Sequence, residues 1–249
     1  RVPDGGYAAG LDPDGLDGAR IGVARQFFGL RDEESAPEGA AAAVTAVMED
    51  AIAEMEAAGA AVVDPVEVVD LSLLESARTL EYEFAREFDA YLADLGDDAP
   101  VDSLADLVAS GTLHPSVRAR FDDTSILDVD ADALDSDTGY LRRLRRRDRL
   151  KRTVLSRMAD DDLDALLYPP SRVPPVEIPE NQPFREMNCE LAAHTGLPAV
   201  VVPAGFTDDG LPVGVELLGR EFDEPRLLEL AHGFERASDH RRPPDRFAE

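Results

Sequence analysis

The chain has 249 residues, of which 44% are hydrophobic, which is enough for a folded core and excludes a globally disordered protein. Its 52 acidic residues outnumber the 25 basic ones, and the formal net charge of -27 opposes non-specific binding to nucleic acid or anionic membranes. Lys151 is the single lysine and tryptophan is absent. This composition indicates a salt-adapted, halophilic source with an acidic proteome.

The chain has one cysteine, Cys189, so no disulfide can form within it, and we expect a reducing, cytoplasmic location. It contains no run of about 18 apolar residues, which predicts no transmembrane span. The first ten residues, RVPDGGYAAG, contain neither an initiator methionine nor a signal-peptide core. We therefore expect the gene to encode further residues upstream.

The amino-terminal segment has the pattern of a strand–helix–strand unit. A buried strand is predicted over 19–24, a helix over 37–58 and a second strand within AAVVDPVEV, 60–68. The apolar side of the helix is formed by Val44, Val47, Met48, Ala51, Ile52 and Met55. This order predicts two parallel strands joined by a helix.

The middle of the chain is predicted to be helical, with helices over 70–95, within 100–111 and over 138–160, and with an acidic loop or a short helical turn at 122–137. The last helix carries the run RRLRRRDRLKR. Such a run can contact nucleic acid or a membrane, but it is more often a solvated face that pairs with carboxylates of its own surface. Lys151 lies three residues after Asp148, and a partly buried ion pair between them is preferred to a catalytic lysine.

The last third of the chain alternates strands and helices again. A buried strand in DALLYPP leads into the proline-rich stretch SRVPPVEIPENQP, and a helix is predicted over 184–195 with Gly196 at its end. Two strands, PAVVVP and PVGVELLG, follow with a turn at 208–210 between them, and a final helix covers 224–236. No repeat or linker interrupts this pattern, so we expect one α/β domain.

The residues alone identify no catalytic nucleophile. No serine stands in a G-x-S-x-G elbow, a Gly/Ser-rich loop or an S-x-x-K pair. Cys189 and His194 are about 140° apart around the predicted helix, so they should not touch, and Cys189 is expected to be a small core residue. The four histidines lack metal-ligand spacing and no phosphate-binding glycine loop is present, so neither a metal nor an organic cofactor is predicted.

The stretch TGLPAVVVPAGFTDDGLPVGVELLGREFDEPRLLELAHGFE, 195–235, resembles the carboxy-terminal region of amidase-signature enzymes. Upstream, GLDGARIGVAR, EYEFAREFDAYLADLGDDAPVDSLADLVA and LDALLYPPSRVPP are similar to further segments of that family, in the same order. The resemblance implies an α/β/α sandwich around a mixed β-sheet. Residues 1–249 would then be the carboxy-terminal portion of a single amidase-like domain, and the reaction would be hydrolysis of a linear amide at its C–N bond.

The resemblance assigns no catalytic residue to this chain. In the family a lysine acts through a bridging serine to activate a nucleophilic serine, and N–H groups of a Gly/Ser-rich loop stabilise the oxyanion. Those residues lie in the family's amino-terminal half, so this chain alone is expected to be inactive. The expected partners are a small-molecule amide and the missing half or a subunit carrying it, without nucleic acid or membrane. The alternative is a non-catalytic remnant or split subunit that binds an acyl compound or such a partner.

The part that the resemblance does transfer is one wall of the acyl pocket, at 168–175 and 184–189. The residues implied are Tyr168, Pro170, Ser171, Glu186, Asn188 and Cys189. Glu186 and Asn188 fall nearest to a position where some members carry an acidic or amide side chain that faces the substrate. A solvated or capping role is the alternative for both.

Overall fold

A computed structural model of the chain describes residues 2–32, 34–131, 133–176 and 187–244. Its contacts divide the chain into two compact units. One contains Arg1–Val69 and Lys151–Glu249, and the other contains Asp70–Leu150. The assignment of residues 1–249 to a single amidase-like domain stays a prediction.

The first unit contains a mixed five-stranded sheet. Its strands are β1 (Arg20–Val23), β2 (Ala61–Val63), β3 (Ala165–Tyr168), β4 (Ala199–Phe206) and β5 (Pro212–Leu218), in the spatial order β2-β1-β3-β5-β4. β1 pairs in parallel with β2 and β3, whereas β5 pairs antiparallel with β3 and β4. The predicted parallel strand–helix–strand unit, the predicted hairpin and the α/β class with a mixed sheet are confirmed.

Eight helices are defined within the described ranges. They are α1 (Ala40–Ala57), α2 (Leu71–Ser76), α3 (Leu80–Leu95), α4 (Leu104–Ala109), α5 (Pro115–Asp122), α6 (Thr138–Asp160), α7 (Glu190–Thr195) and α8 (Glu224–Ser238). Within the same ranges, no helix combines the length and the apolar content that crossing a bilayer requires.

Helices α1 and α8 pack against one face of the sheet. All six residues that the sequence assigns to the apolar side of α1 are buried there. They share one core with alternate strand residues such as Ile21, Ala165 and Val215, and with Leu230 and Phe234 of α8. Apolar residues with a period of two along the strands therefore pack against apolar residues with a period of 3.6 along the helices, as the sequence predicts.

Glycines allow the loop before β1 to lie directly against α8. A Cβ atom on Gly15 would come within 2.7 Å of the Glu229 carbonyl oxygen, and one on Gly233 within 3.1 Å of the Leu16 backbone nitrogen. A backbone atom cannot move aside as the tip of a flexible side chain can. The approach of this loop to the helix therefore depends on the missing side chains.

The second unit is helical, and one prediction for it is wrong. The single helix predicted over 70–95 is divided into α2 and α3. Arg143 donates to the Arg78 carbonyl oxygen at 3.0 Å and Arg146 to the Ser76 carbonyl oxygen at 3.3 Å, so side chains satisfy backbone groups that the break leaves outside a helix. Apolar spacing continues through Ala77, which is why the sequence pattern conceals the break.

The rest of this unit follows the sequence more closely. The short helix predicted within 100–111 is α4, and the acidic stretch forms two short 3-10 turns, Ile126–Asp128 and Leu134–Ser136. Leu104, Val108 and Ile126 form a small core against Phe84 and Phe88. The arginine run pairs with the surface of its own unit, as the prediction preferred: an Arg147 nitrogen lies 3.9 Å from a Glu83 oxygen.

Substituting Gly15 with alanine is expected to lower the free energy of unfolding by about 1–3 kcal/mol, because the new methyl group overlaps a backbone carbonyl. Gly10 is the matched control, since a Cβ there has nothing within 4 Å. Gly10→Ala should change stability by less than about 0.5 kcal/mol. Urea denaturation of both variants measures the difference, and equal effects would contradict the close approach of the loop to α8.

Candidate functional site

The carboxyl ends of β1 and β3 lie side by side because these strands are parallel neighbours. Ligands of open α/β sheets bind beyond the carboxyl ends of the strands. The predicted wall residues 168–171 continue directly from β3, and residues 24–34 follow β1. A site is therefore expected at this edge of the sheet.

Tyr168 is fully buried at the end of β3. Its hydroxyl donates a hydrogen bond to Glu216 Oε1 at 2.8 Å, and the strand register places the two residues opposite each other on β3 and β5. The ring centroid of Tyr168 lies 5.1 Å from that of Phe27, in the segment after β1. Tyr168, a predicted wall residue, thus connects β3 with β5 and with the segment after β1.

The buried position shifts the pKa of both partners. Burial raises the pKa of Glu216 above its ordinary value of 4.5, and the hydrogen bond from Tyr168, which favours the carboxylate, opposes that shift. Burial, and then the neighbouring Glu216 carboxylate, raise the pKa of Tyr168 well above its ordinary value of 10.0. Tyr168 therefore remains a neutral donor near pH 7 and suits a positioning role better than proton transfer.

Asn188 joins three segments of the chain. Its Nδ2 donates to the carbonyl oxygens of Phe27 at 2.8 Å and Pro169 at 2.7 Å, and its Oδ1 accepts a hydrogen bond from Arg172. Its backbone N–H donates to the Pro170 carbonyl oxygen at 2.9 Å. With 1% exposure, Asn188 directs both amide hydrogens to the chain itself. The structure places it in a structural role, and a substrate contact stays a prediction.

Arg172 completes this cluster from the loop after β3. Its side chain is fully buried and forms an ion pair with Glu34, which lies between β1 and α1 and is 12% exposed. A buried guanidinium is tolerated only with compensating partners, so Glu34 and Asn188 together make this position possible. The cluster fixes the loop after β1, the loop after β3 and the entrance to α7 relative to one another.

The sequence analysis did not single out Glu34 or Glu216, and Arg172 fell within the predicted wall range 168–175 without a role. A signal existed only for Glu216, which interrupts the apolar run of β5. It alternates with the core residues Val215 and Leu217, so it faces the opposite side of the sheet, where it is 5% exposed. Glu34 and Arg172 lie in loops 138 residues apart, and no local pattern connects them.

The remaining wall residues on the β3 side make modest contacts. Pro170 is half-buried, and a Cβ on Gly214 would lie 3.4 Å from its Cγ. Ser171 Oγ donates to the Val173 carbonyl oxygen at 2.8 Å, and Ser171 pairs with Met187 in an isolated antiparallel bridge. This serine hydroxyl serves the backbone of its own loop.

Two predictions about the segment before β4 are wrong. Met187 lies in the bridge to Ser171, so the helix predicted over 184–195 begins only at Glu190, although Gly196 ends it in the expected left-handed conformation with φ 67°. Cys189 is exposed rather than a core residue, because Asn188 and Leu191 occupy the buried positions on either side of it. Glu186 lies outside the described residues.

Other candidates from the sequence prove structural. Lys151 forms its ion pair with Glu221, which lies 70 residues away, and not with Asp148, because the chain after β5 brings Glu221 to this helix. His114 Nδ1 lies 2.8 Å from Ser116 Oγ on an exposed surface of the second unit. The same ring nitrogen accepts the Ser116 N–H at 3.3 Å, so this pair caps α5.

The described residues form a mixed sheet of the α/β class, with a buried polar cluster at its parallel edge and a serine there that bonds its own backbone. The family model described as Amidase matches residues 13–228. The chain therefore belongs to the amidase family.

Individual relatives agree with this assignment. A glutamyl-tRNA(Gln) amidotransferase subunit of Myxococcus xanthus is 30% identical over 269 residues, which cover 96% of this chain and 48% of the relative. A probable amidase of Arabidopsis thaliana is 26% identical, covering 98% and 43%. The crystal structure of peptide amidase from Stenotrophomonas maltophilia superimposes with a TM-score of 0.72 at 32% identity, covering 98% of this chain and 47% of that one. The chain spans about half the length of the curated relatives it matches.

Replacing Asn188 with alanine is expected to destabilise the protein by about 2–4 kcal/mol, because it removes the donors to two buried carbonyl groups and an acceptor from a buried guanidinium. Ser171→Ala, which deletes one backbone hydrogen bond from the same edge, should cost about 1 kcal/mol or less. Urea denaturation gives both values. A loss for Asn188→Ala no larger than for Ser171→Ala would show that Asn188 does not hold the edge together.

Glu216→Gln tests the buried carboxylate. Because the folded-state pKa of Glu216 is raised, its contribution to stability is complete below the ordinary pKa of 4.5 and is lost as the pH rises through the folded-state pKa. Glutamine keeps an acceptor for Tyr168 and does not ionise. The free energy of unfolding of the variant, minus that of the wild type, should therefore increase from about pH 4 to about pH 8. The exposed Glu235→Gln variant is the matched control, and an increase for Glu216→Gln no larger than that of the control would contradict the raised pKa.

Proposed function

We propose that this chain forms the acyl-pocket side of an amidase that hydrolyses a linear carboxylic amide at its C–N bond. The nucleophilic serine, the bridging serine and the lysine would come from a Gly/Ser-rich segment outside this sequence, on the same polypeptide or on a partner subunit. On this proposal the chain alone is inactive, and it needs no metal or organic cofactor. The proposed partners are an amide substrate and the nucleophile-bearing half, in the cytoplasm.

One observation carries this proposal. The amidase family model matches residues 13–228 of this chain, yet the chain spans only about half the length of its relatives. The buried cluster of Glu34, Arg172 and Asn188 supports it, because it rigidifies the loops at the sheet edge where a ligand of an α/β protein binds. Such a wall can position a substrate when a second segment supplies the nucleophilic serine.

The outer strand β4 also supports the proposal. In the described part of the chain, β4 pairs with β5 along one side only, and it is the longest strand of the sheet. Val201 on this strand is 53% exposed, while Val202 and Ala204 face the core. Long apolar edge strands are normally covered, because their unpaired backbone groups attract other strands. We propose that the nucleophile-bearing half covers this edge.

Complementation tests the proposal. The purified chain, the amino-terminal half of the Stenotrophomonas maltophilia peptide amidase that does not align with it, and an equimolar mixture are each assayed for ammonia release from benzamide and from a carboxyamidated peptide. We expect hydrolysis only in the mixture, because the nucleophile and the pocket wall then meet. Replacing the nucleophilic serine of the added half with alanine should abolish it.

Each other outcome has a distinct meaning. Turnover by the chain alone would contradict the proposal, because a nucleophile would then have to lie within these 249 residues. Failure of the two halves to associate in size-exclusion chromatography with light scattering, together with no turnover, would favour the non-catalytic alternative, a remnant that binds an acyl compound.

A further inference from the structure

Two adjoining cavities lie in the first unit between α1 and the β4–β5 hairpin. The larger, of about 850 Å³, is lined by the start of α1, by residues 173–176 and by the hairpin turn. The smaller, of about 420 Å³, is lined by the same helix, by residues 204–206 and by His240. Val47, Asp50 and Phe206 line both. These volumes are typical of small-molecule pockets.

The charge around these cavities has one sign. Glu38, Asp50, Asp208 and Asp209 line the larger cavity, and Asp50 and Glu54 line the smaller one. Among the described lining residues neither cavity contains a lysine or an arginine. Apolar residues also line the larger cavity, namely Ala40, Ala43, Val47, Val173, Phe206 and Leu211. Such a hollow favours a ligand with a cationic head and an apolar stem.

The tail segment after α8 places two basic side chains, His240 and Arg242, against residues that line these cavities. The guanidinium carbon of Arg242 lies 3.8 Å from the centroid of the Phe206 ring, which is cation–π geometry. His240 Nε2 lies 2.8 Å from Glu54 Oε2. The chain therefore places one of its own guanidinium groups on the aromatic ring that both cavities share, and an imidazole on one of their carboxylates.

Gly205 sets the spacing at this point. The pairing of β4 with β5 shifts register between Pro203 and Gly205, and the φ of Gly205 is +143°. A Cβ atom there would lie 3.0 Å from Val47 Cγ1 and 3.9 Å from His240 Cε1. Bulges of this kind commonly stand beside binding sites, where they redirect the next side chain. Here the next side chain is Phe206.

We propose that the Phe206 groove, formed by Val47, Asp50 and Phe206 with the two cavities beside them, binds a guanidinium-bearing ligand. The guanidinium lies on Phe206 near the Asp50 carboxylate, and the apolar stem enters the larger cavity. Arg242 occupies the guanidinium position when the ligand is not bound, so the tail competes with it. The ligand is a free guanidino compound or an arginine side chain in a peptide. This site requires no catalytic step, and it does not rest on the proposed amidase function, although residues 173–175 of the proposed pocket wall also line its larger cavity.

Isothermal titration calorimetry on the full chain tests the groove with n-butylguanidine and, as a neutral isostere, n-butylurea. Neither probe is a carboxylic amide, the class of compound that the proposed reaction cleaves. We expect saturable binding of n-butylguanidine and none of n-butylurea. Arg242→Ala should tighten binding about two- to fivefold by removing the internal competitor, whereas Arg241→Ala, the adjacent tail arginine, should leave it unchanged. Phe206→Leu should weaken binding by a similar factor.

Asp50→Asn is the second variant, since Asp50 is exposed and its replacement leaves the core intact, and it should also weaken binding. Acetyl-Gly-Arg-Gly-amide, compared with its neutral citrulline analogue, distinguishes the sources. Tighter binding than n-butylguanidine that the citrulline analogue does not share assigns the groove to peptide arginine, and equal or weaker binding assigns it to a free guanidino compound. The proposal is overturned if n-butylurea binds as well as n-butylguanidine, if neither wild type nor Arg242→Ala binds n-butylguanidine, or if Arg242→Ala and Arg241→Ala bind it equally.

Discussion

The candidate site depends on the hydrogen bonds of the Asn188 side chain. This side chain donates to carbonyl groups that follow β1 and β3 and accepts from the buried Arg172, which in turn pairs with Glu34. Each of these groups is costly to bury alone, and each is satisfied only because the others are present. The conformations of the loops at the parallel edge are therefore coupled, so that loss of one of these contacts disorders all of them.

This arrangement gives the edge a function before any nucleophile is considered. An acyl-transfer site needs walls that hold the reacting carbonyl at a fixed distance from the attacking group and the oxyanion donors. Loops held by buried hydrogen bonds supply such walls better than mobile ones. Under the proposed function the catalytic serines lie outside this sequence, and the loops described here supply the wall against which they act.

The sequence predicted the sheet, α1, α8 and the turn between β4 and β5, because each depends on local periodicity and on turn residues. It missed the break at Ala77, since apolar spacing continues through a turn that distant arginines stabilise. It placed Asn188 and Cys189 on one helix, because only the bridge between Ser171 and Met187 shows that the helix begins later. The ion pair between Glu34 and Arg172 was beyond its reach, since it depends on loops that meet only in the folded sheet. The resemblance supplied the family, and the pocket wall that it implies stays a prediction.

The strand order has a consequence for how the protein is made. β1 is an inner strand of the sheet, between β2 and β3, and Ile21 pairs with Ala165, so β1 must wait for a neighbour that is synthesised much later. β5, which separates β3 from β4, arrives later still. Asp70–Leu150, by contrast, is continuous in the chain, and its contacts are available as soon as it emerges. We expect the helical unit to form first during synthesis, while the apolar strand β1 stays exposed and relies on chaperones until the last third of the chain is complete.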